Sequence, residues 1–165
     1  MKNYEERVNA FFGGLSEEVL ALYQPSGDEE AASMWADIYS AVFFDYPHYC
    51  LNRLANENNI PVYEYLFAKE NGRLGSWHSG EEVYCYGNIP DGSRLYDEKD
   101  REVSRIMSGY WASFAEDGDP NGEDLPQWKA NSDDRTLMGF SEETKMIEEK
   151  FLPLYAVMDK LYGWK

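Results

Sequence analysis

The stretch PVYEYLF at residues 61–67 is the strongest indication of a β-strand in the sequence. β-Branched and aromatic residues dominate it over the length of a single strand, so we expect a β-strand here. Because the segment is so apolar, the strand is predicted to take a central place in a sheet. A buried parallel strand of this kind needs neighbours and cover on both faces.

Loop-forming residues follow this strand. The pairs NG at 71–72, GS at 75–76 and SG at 79–80 are typical of turns. In α/β sheets, the loops beyond the carboxyl ends of strands present functional side chains. The segment after residue 67 is therefore the first place to look for chemistry.

Apolar residues at helical spacing predict most of the remaining elements. The predicted helices cover residues 15–23, 29–44, about 47–56 and 97–116. Ser16 is a possible N-cap of the first helix, and Pro47 is expected to open the third.

The last part of the chain is predicted to contain one short strand and a helical region. Residues 136–140 are predicted as a second short strand, and Ser141 is expected to cap a C-terminal helical region that Pro153 kinks or splits. One or two strands among so many helices indicate an α/β fold that is mostly helical. Two strands cannot form a buried parallel sheet, so we expect the chain to be incomplete on its own.

Length, composition and charge narrow the function classes. The chain has 165 residues, 43% of them hydrophobic, which suits a single domain over 1–165. A net charge of −16 disfavours nucleic acid and anionic membranes as partners. There is no apolar run of about 18 residues and no signal-peptide core at the N-terminus. The compartment, cytoplasmic or secreted, stays open.

Metal and thiol chemistry have weak support in the sequence. Cys50 and Cys85 stand outside any C-x-x-C pair, and both are interpreted as buried free thiols. A cysteine nucleophile beside His78 is possible in principle, although nothing suggests a lowered thiol pKa. The acidic run at 117–124 lacks EF-hand spacing, and no H-E-x-x-H motif exists, so no metal site is predicted.

Of the two histidines, one lies in a functional position. His48 falls at a predicted helix start and is interpreted as structural. His78 lies in GSWHSGEE, residues 75–82, among glycines and serines just after the predicted buried strand. Its surroundings alone leave two interpretations open: a catalytic or binding histidine, or an ordinary loop histidine.

Four motifs in order carry a family resemblance. GSWHSGE at 75–81 resembles G-x-x-H-x-x-E around the catalytic histidine of type-B carboxylesterases and cholinesterases. The run at 110–121 resembles W-x-x-F-A followed by G-D-P-N, and LPQW at 125–128 resembles W-P-x-[YW]. PVYEYLF at 61–67 resembles the strand P-V-Y-x-Y-x-F. The resemblance extends from about residue 12 to residue 140.

The sequence also departs from the family pattern. Ala41 stands where the family often has aspartate, and Leu125 replaces a tryptophan. Neither change touches the histidine motif.

The resemblance implies the C-terminal portion of an α/β-hydrolase that cleaves small carboxylic esters through an acyl-serine, without a cofactor. It makes His78 the general acid–base of the triad. It also makes Glu81 a carboxylate near the triad, although a solvated glutamate at a helix start is an equal alternative. Trp77 and Tyr84 are candidates to line the substrate pocket, with core packing equally plausible.

The other parts of that machinery are missing from the sequence. No G-x-S-x-G elbow exists; the nearest match, GLSEE at 14–18, fails at its last position. The H-G-G pattern of an oxyanion hole is absent, and the acidic triad member of the family would precede Met1. We therefore expect a truncated enzyme or half of a split one, inactive alone and partnered by an N-terminal half.

A second function class stays open at this stage. The cholinesterase-like family includes adhesion proteins that lost the triad, so a non-catalytic protein-interaction module is the alternative; the retained His78 argues against it. An apolar stripe near the C-terminus is either a dimer face or part of the core. It comprises Leu154, Tyr155, Met158, Leu161 and Tyr162. Exposed apolar surface would favour a homo-oligomer.

Overall fold

Two compact units make up the chain. The computed structural model describes residues 1–70, 75–93, 95–132 and 135–164, so the predicted turn at 71–72 lies outside the described residues. The helical unit consists of residues 1–59 and 150–165, and the sheet unit of residues 60–149. One domain can contain two such units, so the boundaries 1–165 stay a prediction.

The elements follow one another with short connections. The α-helices are α1 (Lys2–Phe12), α2 (Ser16–Leu22), α3 (Asp28–Ser40), α4 (Tyr46–Glu57), α5 (Glu82–Cys85), α6 (Glu98–Asp117) and α7 (Leu152–Tyr162). The strands are β1 (Tyr65–Phe67), β2 (Thr136–Phe140) and β3 (Lys145–Glu148). A 3-10 turn (Gly13–Leu15) joins α1 to α2, and a π-helical turn (Ala41–Asp45) joins α3 to α4.

The four predicted helices are confirmed as α2, α3 with its π-helical turn, α4 and α6. Pro47 lies in the first turn of α4, directly after the π-helical turn. The prediction that Ser16 caps α2 is wrong. Leu15 takes the N-cap position, and no side chain makes a capping bond there.

Helix α1 is an element that the sequence reasoning missed. Its buried residues are Tyr4, Val8 and Phe12, which recur every four positions among charged neighbours. This is the spacing of one helix face. The face contributes to the core of the helical unit.

The C-terminal stripe on α7 mostly packs inward. Leu154, Tyr155 and Met158 are fully buried within the helical unit, and Leu161 packs against its core. Only Tyr162 at the end of the stripe is exposed. Of the two interpretations of this stripe, its burial agrees with the core.

Helix α6 is held at both ends by its own sequence. Asp97 is the N-cap and forms a capping box with Asp100, in which each side chain accepts the other's backbone N–H. Gly118 ends the helix with a positive φ of 74°, a conformation that favours glycine.

The sheet has the order β1–β2–β3. β1 runs parallel to β2, with Tyr65 opposite Met138, and β2 pairs antiparallel with β3. β2 is buried at its centre, and its Met138 and Phe140 pack into the core of the sheet unit. The predicted strand at 136–140 is confirmed.

The strand at 61–67 is confirmed only in part. Only residues 65–67 of this segment form regular strand pairing, as β1. Among the described residues, β1 pairs with β2 alone. β1 is terminal in the order β1–β2–β3, so the segment predicted as central stands at an edge of this sheet, and its Leu66 is 49% exposed and its Tyr65 37%. A parallel strand lacking one neighbour in this way agrees with an incomplete sheet.

The predicted helical region after Ser141 is wrong in its first half. Residues 145–148 form β3, which pairs with β2 through a short turn that begins near Ser141. Pro153 does not kink a helix, since it lies in the first turn of α7. The small, mostly helical α/β architecture is the one that the sequence predicts.

Candidate active site

His78 lies on a tight turn between β1 and α5. The turn is closed by a hydrogen bond of 2.9 Å from the backbone N–H of Gly80 to the carbonyl oxygen of Trp77. Ser79 has a positive φ of 63°, which bends the backbone sharply beside the histidine. The His78 side chain is exposed. This geometry leaves the imidazole of His78 accessible to solvent.

Gly80 is required for this turn. A Cβ at Gly80 would lie 2.9 Å from the carbonyl oxygen of Trp77 and 3.2 Å from its indole ring. The indole packs over the glycine and is itself 36% exposed. Trp77 therefore supports the turn that carries His78 and keeps part of its surface open to solvent.

Glu81 begins α5. It holds the N-cap position, and its carbonyl oxygen accepts hydrogen bonds of 2.9 Å from the backbone N–H groups of Tyr84 and Cys85. The residue is half-buried. Among the described residues, no hydrogen bond or ion pair joins its carboxylate to His78. Glu81 is thus at a helix start, close in sequence to His78, and its role near a triad stays a prediction.

Burial keeps both thiols protonated at neutral pH. Burial, followed by the charge of Glu81, raises the pKa of Cys85 to about 11. Burial likewise raises the pKa of the Cys50 thiol. Because the thiolate is the nucleophile, neither environment activates a cysteine for attack.

Tyr84 faces the core of the sheet unit. Its side chain is fully buried, and its hydroxyl donates a hydrogen bond of 2.7 Å to Oδ1 of Asp100. Its ring lies 5.0 Å from that of Phe67. Of the two interpretations proposed for Tyr84, this position agrees with core packing.

A buried ion pair, which sequence reasoning missed, lies just after β1. The Nζ of Lys69 lies 3.2 Å from Oδ1 of Asp100 and 2.7 Å from Oε1 of Glu142. Burial alone would lower the pKa of Lys69, but the Glu142 and Asp100 carboxylates outweigh it and the pKa is raised. The one local signal in the sequence is the D-x-x-D capping box that contains Asp100.

The G-D-P-N run, residues 118–121, acts as a clamp on the backbone of Trp128. The Asn121 side chain accepts a hydrogen bond of 2.7 Å from the backbone N–H of Trp128 and donates one of 2.9 Å to its carbonyl oxygen. Asp119 accepts two more from Asn121. The backbone and side-chain N–H groups of Asn121 accordingly lower the pKa of Asp119.

An aromatic recess of about 250 Å³ lies elsewhere in the sheet unit. It is lined by Tyr63, Tyr65, Tyr110, Trp111, Phe114, Pro120 and Trp128. Trp77, His78 and Glu81 are not among its lining residues. The recess therefore does not by itself identify a substrate pocket for His78.

Over 1–70, 75–93, 95–132 and 135–164, no group of three or more His, Cys, Asp or Glu side chains is arranged to hold a metal ion. Among the helices that the structure describes, none has both the length and the apolar character of a bilayer span.

Curated proteins similar to this chain are carboxylesterases. Carboxylesterase 1C of Rattus norvegicus is 28% identical over 99 residues, which cover 56% of this chain and 18% of the relative. Carboxylesterase 5A of Canis lupus familiaris is 31% identical over 123 residues, covering 67% and 21%. The chain thus spans about one-fifth of the length of these relatives.

A solved structure extends the likeness to the fold. The crystal structure of carboxylesterase EST55 of Geobacillus stearothermophilus at pH 6.2 superposes with a TM-score of 0.72 at 25% identity. The match covers 92% of this chain and 33% of EST55. The predicted fold class, a portion of an α/β-hydrolase with few strands, is confirmed.

The sequence model of the carboxylesterase family matches residues 3–154, a span that includes the turn carrying His78 and all three strands. The motifs on either side of that turn fall in the same span. This chain therefore belongs to the carboxylesterase family.

Proposed function

We propose that this chain is the histidine-bearing part of a serine hydrolase of small carboxylic esters. The observation that carries the proposal is the place of His78: in a G-x-x-H-x-x-E motif, exposed on a tight turn after β1, inside the span that matches the family. In this proposal the reaction needs no cofactor.

His78 is the general acid–base of the proposed reaction. Its imidazole takes the proton from a serine hydroxyl as the serine attacks the ester carbonyl, and returns it to the departing alcohol. In the second half of the reaction, His78 takes a proton from a water molecule that attacks the acyl-serine. The ester bond to the serine breaks, the carboxylic acid leaves, and the serine regains its proton from His78. The serine, the acidic triad member and the oxyanion hole come from residues outside this chain, and Glu81 contributes a nearby negative charge.

The partner in this proposal is the rest of the hydrolase sheet, supplied by an N-terminal portion. Two features of β1 support it. The strand lies at an edge of the sheet, where its outer backbone can pair with another strand, and the apolar Leu66 and Tyr65 side chains on it are exposed. A homo-oligomer that covers the same surface is the competing arrangement. Sedimentation of the purified chain, alone and with the N-terminal portion, separates the two.

The experiment is hydrolysis of p-nitrophenyl acetate and butyrate. The purified chain alone should show no turnover that depends on His78. Addition of an N-terminal portion of EST55, which lacks the matched third, should restore turnover that His78→Ala abolishes and His48→Ala retains. Turnover by the chain alone that disappears in His78→Ala would contradict the proposal that the nucleophile lies outside.

A further inference from the structure

Asp100 connects the two ends of the segment that carries His78. Its Oδ1 lies 3.2 Å from Nζ of Lys69, directly after β1, and accepts a hydrogen bond of 2.7 Å from the hydroxyl of Tyr84 in α5. In sequence, His78 lies between these two partners. The side chains of Lys69 and Asp100 are each 3% exposed, so solvent screens their contact little.

Helix α6 makes Asp100 a fixed point. Its Oδ2 accepts a hydrogen bond of 2.7 Å from the backbone N–H of Asp97, and its own N–H donates to Oδ1 of Asp97 at 3.0 Å. One turn further along α6, the Ser104 hydroxyl donates to the carbonyl oxygen of Tyr84 at 3.1 Å. The helix therefore holds Tyr84 through both its side chain and its backbone.

The segment is also held at two other points near the strands. The Lys69 ammonium contacts Glu142, just beyond β2, at 2.7 Å. The Ser76 hydroxyl donates a hydrogen bond of 3.2 Å to the carbonyl oxygen of Phe67, at the end of β1. Contacts at Lys69, Ser76 and Tyr84 thus hold described residues on both sides of His78.

We propose that Asp100 is a positioning residue for His78, acting through Lys69 on one side and Tyr84 on the other. The inference rests on the proposed function, since it concerns the same histidine. A general base must lie within hydrogen-bond reach of the proton that it takes. A displacement of about 1 Å can reduce turnover by about 100-fold.

Histidine NMR of the full chain tests the positioning without any need for activity. The chain has two histidines, and His48 lies in the helical unit, so it is an internal reference for His78. In Asp100→Asn, the imidazole signal of His78 should be displaced or split while that of His48 stays. Glu102→Gln, an exposed change on the same helix, should move neither signal.

A milder variant covers the case in which Asp100→Asn does not fold. Tyr84→Phe keeps the buried ring and removes only the hydroxyl that Asp100 holds. It should also displace the His78 signal. An unchanged His78 signal in folded Asp100→Asn or in Tyr84→Phe would overturn the proposal, because a purely structural role lowers stability without altering the folded turn.

A kinetic readout separates this proposal from the proposed function. In the enzyme reconstituted with the N-terminal portion, Asp100→Asn should lower kcat by up to about 100-fold with KM kept. If His78→Ala retained full activity there, the proposed function would fail, whereas the NMR result would still decide whether Asp100 positions the turn.

Discussion

At the scale of single residues, the turn that presents His78 depends on a glycine. Gly80 closes against the Trp77 carbonyl and indole, and Ser79 beside it already has a left-handed backbone. Space thus explains the glycine at position 80, whereas Ser79 adopts a left-handed backbone that does not favour serine.

Gly80→Ala should destabilise the sheet unit by about 1–3 kcal/mol, because the added Cβ would overlap the Trp77 carbonyl oxygen. Urea unfolding followed by circular dichroism measures the change. Gly14→Ala is the matched control, since a Cβ there meets nothing within 4 Å. Equal stability of the two variants would contradict the packing described for Gly80.

Lys69→Met should cost about 3–5 kcal/mol of unfolding free energy, because it leaves the Asp100 carboxylate buried without its cation. Lys99→Met removes an exposed ion pair on α6 and should cost at most about 1 kcal/mol. Thermal and urea unfolding of both variants give the comparison. A loss at Lys69 no larger than at Lys99 would show that the buried pair contributes little.

At the scale of elements, the sequence predicted those with a long periodic pattern. Helix α6 has an apolar face over five turns, so its predicted limits, 97–116, agree with the structure to within one residue. β3 was missed because four residues of mixed character carry no clear period. Pro153 suits a helix start as well as a kink. In the structure it is near a helix start, because residues 145–148 pair with β2 as a strand and α7 begins only at Leu152.

The candidate site divides in the same way. His78 is found from a local motif after an apolar strand, whereas the capping box of Asp97 and Asp100 was not predicted, although its D-x-x-D pattern is local. The link from Asp100 to Lys69 joins residues 31 positions apart, and their pairing depends on how β1 and α6 pack. No spacing in a single sequence contains that information.

Asn121→Ala should loosen the loop after α6. It removes both hydrogen bonds to the backbone of the buried Trp128 and should cost about 1–3 kcal/mol. Near-ultraviolet circular dichroism reports the environment of Trp128, and unfolding gives the free energy. The exposed Asn88 is the control, and Asn88→Ala should be neutral. An Asn121 variant as stable as that control would be evidence against the clamp.

At the scale of the whole molecule, each of the two units has its own core, but the sheet is open at one edge. The helical unit has a closed core of its own, with Val8, Ile38 and Leu154 inside it. The sheet unit has a core too, but Leu66 on its edge strand stays half-exposed. An ester hydrolase assembled on this sheet needs further strands, together with the serine and the acid.

Alkaline pH should destabilise the chain between about pH 10 and pH 12. Burial raises the pKa of Tyr110 to about 12, and burial followed by the charges of Cys85 and Glu81 does the same for Tyr65. Unfolded tyrosine ionises near pH 10. Because the folded pKa is the higher one, the stabilisation is complete below about pH 10 and is lost as pH rises through about 12.

Urea unfolding at a series of pH values, with tyrosinate absorbance recorded in parallel, measures this loss. Tyr110→Phe removes one of the contributing groups and should flatten the dependence. An unfolding free energy that stays constant over the same interval would contradict the burial of Tyr110 as the cause.

The role of His78 is measured by the kcat of a chimera in which this chain replaces the matched third of EST55, with p-nitrophenyl butyrate as substrate. His78→Ala should lower kcat by about 10⁴-fold or more, because the members of a triad act as a unit, while His48→Ala leaves kcat unchanged. A chimera that is active and keeps its kcat in His78→Ala would contradict the assignment of His78 as the general acid–base.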